Sequence, residues 1–325
     1  MLSIFRTNQL LAGLLLLFYA VLIHSSVFIL EQPWMPAGQG VFSDYVYQWI
    51  GETGQSAFIL ATVLLFFQAF YVNLVVAEHR IAGEVNLFPG LFLIIVSSAH
   101  PDFLQLSPVL MANTFVLLAL AQLLNTSKQI DSSDHIFNIG FWAGIASLFY
   151  ASYLLLIVVA FSGLNLLRGF KIRERLMVLT GLLTPYWLLS VYLFWNDQFA
   201  LFWQEQLWAQ FVFWDIPTKM DLSVWIGLGT YALFLLVALL SYRSYLFKKN
   251  MQVQRIVLIL FWMLLYMGLS VFFQAGIQMD HLLVLAIPLG VLISLNFTNL
   301  SAPIAEVLHL LLLAGLLFFQ YRNLL

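Results

Sequence analysis

Long apolar runs recur along the whole chain, broken by short polar stretches. A helix needs about 20 apolar residues to cross a hydrocarbon core about 30 Å thick. The pattern predicts a first span from about Leu10 to Leu30 and a second from about Ala57 to Val76. Two stretches then predict hairpins. In one, Leu87 to Ala99 and Ser107 to Leu124 are parted by His100-Pro101-Asp102, and in the other Phe137 to Leu167 turns near Tyr150-Ala-Ser-Tyr153. Short spans of this kind are tolerated where protein rather than lipid covers them. Single spans follow at about Leu176 to Phe194, Leu222 to Leu240, Val257 to Phe273, Leu282 to Asn296 and Val307 to Phe319. The expected fold is an all-α, polytopic transmembrane helix bundle of about eleven spans. It forms one domain over residues 1–325, with no separate soluble domain.

The polar breaks also orient the spans, because Lys and Arg collect in cytoplasmic loops. With Arg6 placed inside, 11 of the 13 basic residues fall on the cytoplasmic side, the exceptions being Lys219 and Arg322. The N-terminus is then cytoplasmic and the C-terminus outside. No small-residue cleavage site follows the first apolar stretch, so that stretch is expected to be retained as a span.

Composition narrows the class further. Charged residues make up 9% of the chain and hydrophobic ones 62%, against about 25% charged in an ordinary soluble domain. A net charge of −2 offers no basic patch of the kind that binds nucleic acid. The absence of cysteine removes disulfides, thiolate metal sites and Cys nucleophiles. The chain has no Gly-Lys-[Ser/Thr] phosphate loop, no His-Glu-x-x-His and no Gly-x-Ser-x-Gly. No charged residue lies deep inside a span, which weakens proton-pump and ion-coupled transport readings.

Candidate chemistry therefore lies in the outer loops. There Glu31, Asp44, Glu52, Asp102, Asp197, Glu205, Asp215, Asp221 and Asp280 make 9 acids against one base, Lys219, before the C-terminal tail. Such a surface suits a general base or a divalent cation such as Mg or Mn better than an anion. The plain structural alternative is that outer loops lack Lys and Arg for translocation and keep some acids for solvation. From Val41 to Gly51, Phe42, Tyr45, Val46, Trp49 and Ile50 share one helical face, predicting a membrane-surface helix that holds Asp44 over the outer end. The aromatic-rich loop at 195–221, with Trp203 and Trp208, reads either as an interfacial belt or as a docking surface for a membrane protein partner. His100 beside Asp102, and His281 beside Asp280, join an imidazole to a carboxylate, an arrangement open to phosphate binding, acid–base work or metal ligation. A helix cap is the structural alternative for these acids. The inner clusters at Arg168 to Arg175 and Arg243 to Arg255 are explained by membrane lipids with anionic headgroups and receive no catalytic role.

Taken together, these features resemble the GT-C class of integral membrane glycosyltransferases. The resemblance rests on Asp44 in a surface helix after the first span, and on short paired spans around His100-Pro-Asp102 and Ala146-Ser-Leu-Phe-Tyr150. It rests also on the basic loop leading into the Pro-bearing span from Arg173 to Tyr186, and on Asp280-His-Leu-Leu-Val-Leu-Ala-Ile-Pro-Leu-Gly290. The whole chain is also similar to a family of polytopic membrane proteins from Bacteroidota-type bacteria. The resemblance implies a protein of the bacterial inner membrane that transfers a sugar from a polyprenyl-phosphate donor at the outer face. It would make Asp44 the general base that deprotonates the acceptor or helps hold a metal, and Asp102 a second carboxylate of the catalytic site, with His100, His281 and Asp280 binding substrate or its phosphate. The sequence departs from that class in having Tyr45 rather than a second acid after Asp44, and few outer cations. Two other readings stay open: a non-catalytic subunit of an envelope-assembly or secretion complex, and a lipid-carrier transporter.

Overall fold

The computed structural model describes residues 2–7, 9–29, 40–50, 54–128, 132–199, 202, 206, 221–271 and 279–322. Among them there are fourteen α-helices and no strand. In chain order these are α1 (Leu2–Phe5), α2 (Leu10–Ile29), α3 (Val41–Ile50), α4 (Gly54–Glu78), α5 (Phe88–Ser97), α6 (Pro108–Asn125) and α7 (Ser133–Phe149). They continue as α8 (Leu156–Arg168), α9 (Ile172–Trp195), α10 (Leu222–Leu240), α11 (Tyr242–Leu246), α12 (Met251–Ser270), α13 (Ala286–Asn299) and α14 (Ala302–Gln320). Tight 3₁₀ turns at Pro101–Leu104, Ala151–Leu155 and Met279–Leu285 lead toward α6, α8 and α13.

Among the described residues, nine helical segments are long and apolar enough to cross a membrane. Each of the expected spans has a helix at its place. The two that fall short of the nine are α5, with 10 residues, and α7, with 17. At 1.5 Å per residue α5 rises only about 15 Å, half of a bilayer core. It is not exposed to lipid, because all ten of its residues are buried. The expected hairpins therefore form, with the short arm enclosed by its neighbours.

The centre of the bundle is α5 against α13. Gly290 lets the α13 backbone approach that of Leu93, where a Cβ would crowd Leu93, and the rings of Phe92 and Phe297 meet at 4.2 Å. A second close seam joins α7 to α9. A Cβ at Gly140 would run into the Val178 carbonyl, one at Gly144 into Leu182 and one at Gly181 into the Phe137 carbonyl. This is the small-xxx-small packing that substitutes for a hydrophobic driving force inside lipid. By contrast α10 and α14 are only 22% and 17% buried. Their outer faces show Leu233, Leu236, Leu240, Val307, Leu311 and Phe318 exposed, an apolar surface that only lipid or another membrane protein can cover. The chain is a multi-pass membrane protein.

Polar contacts sort the two ends of the bundle. At one end the Leu87 N–H donates to the Phe5 carbonyl, Arg6 to Leu300, and Lys249 to Ile81 and Ala82, while Lys128 pairs with Glu78 at 2.8 Å. Arg168 joins Glu174 at 3.0 Å and the Thr126 carbonyl at 2.9 Å. The connecting segments that carry most of the basic residues thus meet at one end, as the placement of Lys and Arg predicts. Asp44, Asp102 and Asp280 belong to the opposite end.

Candidate functional site

The acidic end is assembled from α3, the α5–α6 hairpin tip, the α7–α8 junction and the turn at Met279–Leu285. Its depth comes from the short α5. Ser98, just past α5, bonds His24 at 3.4 Å, and His24 bonds Thr62 at 3.0 Å. Thr62 lies eight residues inside the start of α4 at Gly54, or about 12 Å along the helix. Ser98, where α5 has ended, is therefore recessed below that rim.

At the tip, Pro101 disfavours helical backbone at the residue before it, and His100 is extended (φ −133°, ψ 147°). Its ring folds back so that Nδ1 accepts the Asp102 N–H at 3.3 Å and lies 3.5 Å from Asp102 Oδ2. The cap of this turn is thus His100, and Asp102 is left with a half-open carboxylate, 55% exposed. The His100 ring is buried against Phe103 and Phe319, each at 5.6 Å, and against Gly227, where a Cβ would press on the ring. Burial, aided by the charge of Arg322, pulls the imidazole below its usual range, against the opposing pull of Asp102. Through the bond that its Nδ1 accepts from the Asp102 N–H, His100 orients Asp102.

Asp280 and His281 open the turn that feeds α13. Asp280 Oδ1 is buried and has no hydrogen-bond partner among the described residues, an arrangement that costs free energy wherever it occurs. His281 is buried, bonds the Tyr150 hydroxyl through Nδ1 at 2.5 Å and stacks on that ring. Beside Tyr150, Tyr153 donates to Asn113 Oδ1 at 2.5 Å, and the Asn113 amide donates to the Leu283 carbonyl at 3.1 Å. This belt fixes the α7–α8 junction, α6 and the Met279–Leu285 turn to one another. The expectation that His281 faces a lipid phosphate meets a side chain that is inside the bundle and engaged by Tyr150.

The expected surface helix is α3. Gly40 seats its start on the Phe149 and Leu148 carbonyls, where a Cβ would clash, and Phe42 packs edge-on against Phe149 at 5.4 Å. Gln206 ties the same corner, accepting from the Val41 N–H and donating to the Ser147 carbonyl, both at 2.9 Å. The apolar face that the spacing marks is divided between the bundle and the outer surface. Ser43 and Tyr47 are buried and Phe42, Val46 and Ile50 partly so, whereas Tyr45 and Trp49 are exposed. Tyr47 turns inward and donates to the Leu106 carbonyl at 3.1 Å. Burial first, then the charges of Asp280 and Asp44, hold its phenol well above the ordinary range.

The five expected site residues come together around these tyrosines. Asp280 lies within electrostatic reach of Asp102, Tyr47 and Tyr150, and Tyr47 within reach of Asp44. Among the described residues Arg322 joins them, lying over Phe319 at 5.5 Å, and Phe319 packs on His100. Sequence reasoning passed over Arg322, Tyr47, Tyr150, Tyr153 and Asn113. The signal available was a hydroxyl or amide inside an apolar segment, which must find a partner. Among the described residues no group of three or more His, Asp or Glu side chains is placed to hold a metal ion, so Mg or Mn has no ready site there. Of the aromatic loop, Trp203 and Trp208 lie outside the described residues. No family model matches the chain, and neither a curated protein nor a solved structure is significantly similar to it.

Proposed function

We propose that the acidic end is the reaction site of a GT-C-like transferase, which moves a sugar from a polyprenyl-phosphate donor to a hydroxyl acceptor at the outer face of the bacterial inner membrane. One observation carries the reading: an unpartnered carboxylate oxygen, on Asp280, is held at a recessed membrane end within reach of Asp102. Among the described residues nothing bonds that oxygen, so a use outside the fold is the account we favour.

In this reading Asp102 is the general base, since its carboxylate is half open and His100 orients it. The acceptor O–H gives its proton to Asp102, and the acceptor oxygen bonds the anomeric carbon. The bond from that carbon to the polyprenyl phosphate oxygen breaks, and the electron pair leaves with the phosphate. Arg322, beside Phe319 and His100, is the cation that would meet the leaving charge. Asp44, from α3, would bind the acceptor from the other side, and Asp280 with the Tyr150–His281 pair would form the inner wall. No step is assigned to a divalent cation.

The test is made in cells. Asp102→Asn and Asp44→Asn should alter the envelope glycan or glycoprotein profile while the protein stays folded and at its normal level. An unaltered profile with either folded variant refutes the assignment of that residue. A second reading, a non-catalytic subunit of an envelope complex, is favoured by Trp49 and Trp195, which stand 84% and 86% exposed. It predicts a stoichiometric partner in mild detergent that is lost when both are replaced by Ala.

A further inference from the structure

The basic end holds a feature that the reading above does not use. Between the start of α7 and the start of α9 lies a polar cavity of about 170 Å³. Its lining includes Ser132, Ser133, Arg168, Lys171, Arg173 and Glu174. Two side-chain atoms there lack partners among the described residues, and they are of opposite kind. Ser132 is 3% exposed, and its hydroxyl, which could donate, makes no bond and does not cap α7. Glu174 is 6% exposed, and its Oε2, an acceptor, is also unpartnered, although Oε1 takes Arg168 and Lys171. Arg173 is exposed and makes no ion pair among the described residues. The N-terminus of the 17-residue α7 adds the positive end of its dipole.

A free anion would satisfy the Ser132 hydroxyl and the cations but would leave Glu174 Oε2 without a donor. A simple cation would do the reverse. A headgroup that carries both a phosphate and a primary ammonium answers both. Beside the cavity, Phe170, Ile172 and Leu176 are exposed on the outer surface, an apolar track along which acyl chains could run. We propose that this cavity is a site for a phosphoethanolamine lipid headgroup. The phosphate sits among Ser132, Lys171, Arg173 and the α7 N-terminus, and the ammonium donates to Glu174 Oε2.

The experiment uses the full chain in mild detergent, with phosphatidylethanolamine, phosphatidylglycerol and phosphatidylcholine offered in equal amounts, and retained lipid read by native mass spectrometry. Phosphatidylethanolamine should be retained at least about tenfold over phosphatidylcholine, whose quaternary ammonium has no N–H for Glu174, and over phosphatidylglycerol, which has no ammonium. Arg173→Gln with Ser132→Ala should abolish the preference. Arg173→Gln alone should weaken it without changing the lipid-free melting temperature, since Arg173 is exposed and makes no ion pair among the described residues. Equal retention of the three lipids, preference for phosphatidylglycerol, or a preference untouched in the double variant would each overturn the proposal. So would inorganic phosphate stabilising the protein as well as phosphatidylethanolamine does, which would make this a free-anion site.

Discussion

The two ends of the bundle use their charges in opposite ways. At the basic end the charges are ties: Lys128 pairs with Glu78 between α6 and α4, Arg168 with Glu174, and Arg6 caps the Leu300 carbonyl. They hold connecting segments together, and removing one loosens the fold. At the acidic end Asp102 lies beside the His100 ring and within electrostatic reach of a second acid, Asp280, whose Oδ1 has no partner among the described residues. Neutral hydrogen bonds do the tying there, through Tyr150–His281, Tyr153–Asn113 and Tyr47–Leu106. On the proposed reading, the ion pairs of the basic end serve structure and the carboxylates of the acidic end serve chemistry.

Opposite signs follow for stability. Glu174→Ala takes the carboxylate partner from the little-exposed Arg168, which keeps the Thr126 carbonyl, and should cost up to about 3–5 kcal/mol, the range for breaking a buried pair. A thermal melt in detergent with no measurable drop would remove the basic end's structural role. Asp280→Asn, in contrast, keeps the shape and removes a buried charge whose Oδ1 lacks a partner among the described residues, so its melting temperature should stay level or rise. A large fall would show that Asp280 is a structural tie after all.

Tyr150→Phe should cost an intermediate amount, about 1–3 kcal/mol, because it strips His281 Nδ1 of its hydroxyl partner. Lys128→Ala should cost the least, about 0.2–1 kcal/mol, since its pair with Glu78 is partly exposed. Reversal of that order would break the distinction between buried and surface ties.

Acid should act at the basic end. Burial, with Lys128 adding to it, lowers the His79 pKa to about 4. The unfolded chain takes up a proton near pH 6.5 and the folded one only near pH 4. Below pH 6.5 the unfolded state therefore binds more protons, and stability falls as the pH drops toward 4. Melting temperature should decline through that window in the wild type and less steeply in His79→Gln. Parallel curves would show that His79 does not contribute.

How far the sequence could be read depends on what lipid does to apolar periodicity. Apolar runs marked every membrane helix, and the Lys and Arg positions sorted the two ends, because both respond to the boundary between water and lipid. The same cues do not separate protein from lipid, since an apolar side chain is at ease in either. That is why the spacing in α3 selected Tyr45 and Trp49, which are exposed, and missed Ser43 and Tyr47, which are buried. The α7–α9 seam was open to reading from Gly140 and Gly144, four residues apart. His100-Pro101-Asp102 was legible because proline and two ionisable groups interrupt an apolar stretch. The Tyr150–His281 bond joins residues 131 positions apart, and no local spacing encodes it.

The central claim is that the carboxylates of the acidic end serve chemistry rather than the fold. Its most direct measurement is sugar transfer from a polyprenyl-phosphate donor by purified Asp102→Asn protein, with the melting temperature taken on the same sample. The account predicts transfer reduced by at least about a hundredfold, as for loss of a general base, with an unchanged melting temperature. Transfer at the wild-type rate by a folded Asp102→Asn protein would contradict it.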